Sequence, residues 1–333
     1  MSKKTKQPVK QHYVPKFILK GFAKNPRAKR KMVFVYDKHS DIIFTANIRD
    51  VGCENKYYDF KIEDFKVTAE FGLARIENEL APIVSNIVSR QRIDDLTFEE
   101  RGAISFFIAM QMTRSPTTRE HCAWISQMFF DIAEELTGVR ELEGEQEPSE
   151  EEIKANACML IPECEEFAKL IFLKKWFLLT PPAGAVFHLS DTPVVLANDN
   201  DSPLRASLGL ACKGIQIYMP LSKNIVLAMY CPTLTDKLEN EAKELLAKMT
   251  LLSSFPRAGK VQAESVLAAL SGESPLLCED DHVTFINSLQ TEWSRRYLYS
   301  STNDFSLPKR MIEDHPEYKE GMKWKVHGFE KKS

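Results

Sequence analysis

The apolar residues of this 333-residue chain change their spacing partway along, and that change restricts the fold more than any other feature. From Thr68 to about Arg92, Phe71, Leu73, Ile76, Leu80, Ile83, Val84, Ile87 and Val88 recur every three or four residues, the period of an amphipathic helix. Helical spacing continues from Ala103 to about Leu136 and from about Glu151 to Leu173. The pattern then breaks into short β-type runs at Trp176–Leu179, Val186–Leu189, Val194–Leu196, Ile215–Met219 and Ile225–Met229, separated by Pro, Gly, Asn and Asp. Helical spacing returns at Leu234–Met249 and Glu264–Leu270, and a final long helix is predicted over Asp281–Tyr299. Blocks of helices and strands in this order specify an α+β domain, with a helical N-terminal half packed on an antiparallel sheet from residues 176–230 and closed by C-terminal helices. The βαβ alternation and the Gly-x-Gly-x-x-Gly fingerprint of a dinucleotide fold are absent.

Local signals refine this plan. Lys31–Tyr36 and Asp41–Thr45 flank the polar stretch Asp37-Lys38-His39-Ser40 and read as a hairpin. Thr97 with Glu100 forms a capping box ahead of a helix that is apolar almost all round from Ala103 to Met110, and so is expected to be buried. Ser115-Pro116 should break that helix, and Pro82 and Pro162 should perturb theirs. The acidic run Glu141–Glu152 resists packing and reads as an exposed loop leading to a helix start at Ser149. The expected layout is a disordered basic N-terminus (1–9), one domain (10–300) and a C-terminal tail (301–333).

Composition excludes several classes. The chain is 44% hydrophobic and 27% charged, ordinary values for a globular protein, and its net charge of −3 gives no global field for nucleic acid. Two local basic sets remain. Lys3, Lys4, Lys6, Lys10, Lys16, Lys20, Lys24, Arg27, Lys29, Arg30 and Lys31 lie near the start, and Lys309, Arg310, Lys319, Lys323, Lys325, Lys331 and Lys332 near the end. Each set reads either as a solvated, frayed end or as a patch for a polyanion. No apolar stretch approaches the roughly 20 residues that span a bilayer, and no secretory signal is visible. Seven scattered cysteines without a Cys-x-x-Cys pair fit free thiols in a reducing cytoplasm.

Three clusters have residues suited to chemistry. In Gln11-His12-Tyr13-Val14-Pro15-Lys16-Phe17-Ile18-Leu19-Lys20-Gly21-Phe22, His12 is a candidate general acid or base, and Tyr13 and Lys16 are candidate anion stabilisers. The alternative is a hydrogen-bonded structural histidine. Gln111 and Arg114 share one helix face, with Arg119 beyond them; Arg114 would pair either with a carboxylate such as Glu77 or Glu79, or with a ligand phosphate or carboxylate. Ser190-Asp191-Thr192-Pro193 lies between two apolar runs, near His188. There Asp191 would bind a metal, orient His12, or simply hold a turn.

These motifs resemble a bacterial family catalogued as domain of unknown function 4238. Its members open with Gln-His-Tyr-Val-Pro-x-Phe-x-Leu, matched here at residues 11–19. Further similarity is carried by Gln111, Arg114 and Pro116; by Ser190, Asp191, Pro193, Val194 and Val195; by Pro220, Leu221 and Ser222; and by Asn287, Arg296 and Tyr299. The resemblance implies a bacterial or phage-related cytoplasmic protein and a convergence of His12, Arg114 and Asp191, but no agreed activity.

The expected function is phosphodiester cleavage of a nuclease type, in bacterial defence or as a toxin. His12 would be the acid or base, Arg114 and Lys16 would hold phosphate, and Asp191 would orient His12 or a divalent metal. Tyr13, Gln111, Ser190, Ser222, Asn287 and Arg296 would be supporting ligand contacts. The alternative is a non-catalytic module that binds a nucleotide or another anion. Nucleic acid or a nucleotide is the expected partner in either case.

Overall fold

A computed structural model describes residues 9–62, 65–137, 149–160, 164–198, 208–251 and 257–321. The N-terminal part runs β1 (Lys10–His12), α1 (Lys16–Leu19), a 3₁₀ turn (Lys20–Phe22), β2 (Met32–Asp37), β3 (Ile42–Asn47), β4 (Cys53–Asn55), β5 (Asp59–Ile62) and β6 (Phe65–Thr68). Helices α2 (Glu70–Arg90), α3 (Phe98–Thr113), α4 (Pro116–Thr137), α5 (Glu150–Met159) and α6 (Cys164–Phe172) follow. Then come β7 (Lys175–Thr180), β8 (Leu189–Ser190), β9 (Val195–Asn198), β10 (Ile215–Ser222) and β11 (Ile225–Tyr230). The remainder is α7 (Pro232–Leu251), α8 (Arg257–Ser271), β12 (Leu276–Leu277), α9 (Asp280–Trp293), β13 (Tyr297–Ser300), α10 (Ser306–Asp314) and a 3₁₀ turn at Pro316–Glu320. The fold is α+β, with mainly antiparallel sheets. No helix among the described residues is long and apolar enough to cross a membrane.

Local sequence chemistry explains most boundaries. Thr97 Oγ accepts the Glu100 amide while the Glu100 carboxylate accepts the Thr97 amide, which satisfies two of the free N–H groups at the start of α3. Ser149 and Glu152 cap α5 in the same way. The acidic run before Ser149 lies outside the described residues, as do residues 1–8. Helix α3 ends at Thr113 and α4 starts at Pro116, whose missing N–H costs nothing at a first turn. Most of α3 from Ile104 to Met110 is buried, as its all-round apolar character requires.

Two sheets organise the core. One has the order β12-β7-β11-β10-β9, antiparallel apart from the β12–β7 edge. Every residue of β10 and β11 is buried, which explains why those strands are continuous apolar runs. The other sheet has the order β3-β2-β13-β8 and joins the first hairpin to the far end of the chain, with Tyr297 opposite Asp37 and Ser300 opposite Phe34.

This second sheet corrects the sequence reading. The helix predicted over 281–299 stops at Trp293, Ser294 is extended, and residues 297–300 are a strand. The stretch after 300, expected as a tail, carries α10 and the last 3₁₀ turn. Phe305 stacks on Tyr36 with ring centroids 5.5 Å apart.

The opening motif sits where these parts meet. Gly21 lies against the end of β10, where an added Cβ would stand 2.6 Å from the Leu221 carbonyl oxygen, so no larger residue fits without a shift of the backbone. The Lys223 amide donates to the Gly21 carbonyl at 3.1 Å and ties the two segments together.

Candidate functional site

Gln11 to Pro15, Ile18, Leu19 and Phe22 of the opening motif are buried, and several of them are hydrogen-bonded to the rest of the chain. Gln11 accepts the Tyr58 amide at 2.6 Å and donates to Asp59 at 2.7 Å. The Tyr13 carbonyl accepts Gln111 Nε2 at 2.6 Å, and the His12 carbonyl accepts the Tyr58 hydroxyl at 3.2 Å. Gln111 Oε1 takes two N–H groups from Arg114, at 2.7 and 3.0 Å, and the remaining arm of Arg114 donates to Glu77 at 2.8 Å. Arg114 is thus a buried clamp joining α3 to α2 and, through Gln111, to the motif. The space beside it, lined by Tyr57, Tyr58 and Ser115 among others, is about 20 Å³, room for one water.

Asp191 is fully engaged as well. Its carboxylate accepts the backbone N–H groups of Arg295, Arg296 and Tyr297 at 2.7, 2.7 and 2.8 Å. Burial pushes its pKa up, and these three donors and the Lys38 ammonium oppose that shift. Ser190 donates to Gln290 and to the Thr192 carbonyl, both at 2.8 Å. Asn287 holds the His188 amide at 2.8 Å and the Val186 carbonyl at 3.0 Å. Ser222 accepts the Asn224 amide in the β10–β11 turn, and Arg296 forms a two-point bond to Asp37 at 2.7 and 3.0 Å. The Tyr13 ring is buried beside Tyr57, with centroids 5.2 Å apart. The side chains of Gln111, Ser190, Ser222, Asn287 and Arg296, expected as ligand contacts, thus bond to other parts of the chain, and the Tyr13 ring packs in the core. Of the two hollows described among these residues, one is lined by Arg114 and neither by His12 or Asp191. Among the described residues, no group of three or more His, Cys, Asp or Glu side chains is placed to hold a metal.

A group that local sequence did not single out stands next to Asp191. Lys38 is completely buried, and its Nζ donates to the carbonyls of Thr291 (3.0 Å), Ser294 (2.6 Å) and Tyr318. Burial brings its pKa down to about 8, against the pull of Asp191. Read in sequence, Lys38 is only a turn residue. Nothing near it signals that its amine will close the C-terminal end of α9.

The exposed chemistry lies elsewhere, on the outer side of the motif. Lys16, Lys20, Lys29, Arg30, Lys31 and Arg49 surround a hollow of about 410 Å³. Phe17, Asn47 and Ile48 complete its lining, which includes no carboxylate. None of the six cations is ion-paired to an acid among the described residues, although Lys31 also donates to the Ala28 carbonyl. Helix α1 produces this arrangement. Ile18 and Leu19 point into the core, which turns Lys16 and Lys20, four residues apart, to the outside. No Asp or Glu precedes Asp37 in the chain, so the Lys29-Arg30-Lys31 wall has no local neutralising partner.

His12 is not part of this lining but touches one of its residues. It is 9% exposed, and its Nε2 lies 3.4 Å from the carbonyl of Ile48, a lining residue. Burial, and then the Lys16 charge, push its pKa down to about 4, so the imidazole is neutral near pH 7. His188 is also held down at about 4 by burial, and its Nδ1 has no hydrogen-bond partner among the described residues.

A base with a depressed folded pKa binds fewer protons in the folded state than in the unfolded state. Stability is therefore complete above the unfolded value of 6.5 and is lost as pH falls from 6.5 towards 4. Each histidine should contribute about 3 kcal/mol to that loss. In urea titrations at pH 7.5, 6 and 4.5, His188→Phe should flatten the decline. An unchanged slope would show that His188 is not part of it.

The motif residues that resembled a family pattern are thus the ones that lock β1, α3, β8 and α9 together, and the family's sequence profile matches residues 10–304. The chain belongs to the DUF4238 family of proteins of unknown function. No curated protein and no solved structure matches it. In this DUF4238 chain, the matched region spans both sheets and the hollow but ends before α10.

Proposed function

We propose that the chain binds a phosphate-bearing ligand of the nucleotide or nucleic-acid class in the hollow between α1, the 29–31 segment and Arg49. The observation that supports this is the set of six cations around one concavity without a carboxylate in its lining, on a chain whose net charge is −3. Like charges held this close repel one another, and a bound polyanion removes that repulsion. Lysines act as point charges for phosphate, while Arg30 and Arg49 offer planar two-point donors. The cytoplasm, where such ligands abound, is the location that suits this reading.

A thermal-shift titration with ATP and with pyrophosphate tests the proposal. At 100 times Kd the native state should gain about 2.7 kcal/mol. The Lys16→Glu, Arg49→Glu double variant should fold and lose the shift. An equal shift in that variant, or none in the parent, defeats the proposal.

A catalytic form of the same reading makes the chain a phosphodiester-cleaving hydrolase of defence or toxin type. The position of His12 favours it. A neutral imidazole whose Nε2–H donates to Ile48 keeps a lone pair on Nδ1 and can serve as a base beside the hollow. In that form Lys16 holds phosphate, and Arg114 and Asp191 keep the frame in place. Cleavage of labelled RNA or DNA that survives His12→Ala unchanged would rule out this form while leaving the binding proposal intact.

A further inference from the structure

Resting on the reading of the hollow as a phosphate site, we infer that its occupant is a single strand of nucleic acid rather than a free nucleotide or an inorganic polyphosphate. Three features carry the inference. The positive charge exceeds what one nucleotide needs, since six cations face the hollow, and two more lie a few residues before its Lys29-Arg30-Lys31 wall in the chain. Lys24 and Arg27 are exposed on the same connection that supplies Lys29, Arg30 and Lys31, and Lys24 lies 4.2 Å from the centre of the Phe34 ring. A row of this kind follows successive phosphates, whereas a mononucleotide would occupy one end of it.

The hollow also offers surface that bare phosphate cannot use. The half-buried Phe17 ring, backed by Phe107, lies among the cations, with the Asn47 side chain nearby, whose Oδ1 accepts the Arg49 amide and whose NH2 remains as a donor. A base can stack on the Phe17 ring and hydrogen-bond to that donor. A cationic track combined with an aromatic platform is how sequence-tolerant single-strand binders work. In a duplex the base faces are stacked on one another and unavailable to Phe17, so the platform requires an unpaired strand.

The full chain should be titrated by fluorescence anisotropy with labelled oligo-dT and oligo-rU of four, eight and sixteen nucleotides. Competitors would be UMP, ATP, inorganic polyphosphate and a sixteen-base-pair duplex. Affinity should rise at least 10-fold from four to eight nucleotides, and the single strand should exceed the duplex and polyphosphate. The logarithm of affinity should fall with the logarithm of salt at a slope near −4, about −0.7 for each phosphate neutralised by the six cations. The Lys24→Glu, Arg27→Glu variant lies outside the hollow and should weaken the sixteen-mer about 10-fold while leaving ATP binding unchanged. Phe17→Leu should weaken oligonucleotides 5- to 10-fold and pyrophosphate not at all, in line with the loss of one stacked base.

Equal binding of ATP and the sixteen-mer, or polyphosphate matching the strand with no effect of Phe17→Leu, overturns the strand while leaving the phosphate site. Binding of no anion at all overturns both. The dT and rU arms show whether a 2′-hydroxyl adds to the affinity.

Discussion

Replacing Arg114 with methionine should lower the folding free energy by about 3–5 kcal/mol, the cost of removing one partner from a buried ion pair. The loss would not be confined to one bond. The guanidinium satisfies Glu77 and Gln111 Oε1 at once, and Gln111 in turn holds the Tyr13 carbonyl. Without Arg114, a largely buried carboxylate is left without its cation and the clamp between α2, α3 and the opening motif loosens. Arg114→Lys should recover part of the stability, because an ammonium can reach one acceptor but not both. Urea unfolding of Arg114→Met, Glu77→Gln and the double variant measures the coupling. Additive effects, or a loss under 1 kcal/mol for Arg114→Met, would show that the clamp does not hold the fold.

Asp191→Ala should be comparably severe, about 4 kcal/mol. It leaves three part-buried backbone donors without their acceptor, at about 1–3 kcal/mol each where water cannot replace it. Those donors belong to Arg295, Arg296 and Tyr297, the residues that turn the chain out of α9 and into β13. Hydrogen exchange should therefore show protection lost at residues 295–300 while α3 keeps its own. Asp191→Asn keeps one acceptor oxygen and should lose about half as much. Native protection across 295–300 in the alanine variant would contradict the role assigned to Asp191.

Features whose causes lie close together in the chain were legible in the sequence. The Thr97–Glu100 box, the break before Pro116 and the β2–β3 hairpin are short-range effects, and the structure has each of them. The sequence offered Arg114 either a carboxylate such as Glu77 or Glu79 or a ligand anion, and Glu77 takes the contact while Glu79 pairs with Arg75 at the surface. The end of α9 was not legible, because the group that stops the helix comes from Asp191, about a hundred residues upstream. The apolar spacing of Leu298 suits a helix or a strand equally, and pairing with β2 decides it. Asp191 was read as a metal ligand, an orienter of His12 or a turn holder, and its carboxylate accepts from a remote turn at 295–297. Lys38 carried no local signal at all. The hollow was half visible. The basic set up to Lys31 showed in the sequence, where it read as a frayed end or as a patch for a polyanion, while Arg49 on the opposite wall comes from the turn after β3 and needed the fold to place it.

The position of β13 between β2 and β8 has a consequence for how the protein is made. A ribosome delivers Met32–Asp37 early, yet the strand that completes its hydrogen bonding arrives some 260 residues later. Until then β2 presents an open edge of the kind that invites pairing with neighbouring nascent chains. Lys38, likewise, lacks its three carbonyl acceptors until translation reaches Thr291 and Ser294, and completes the set only at Tyr318. The molecule can therefore close only once residues 297–318 have been made, and chains stalled before that point should depend most on chaperones.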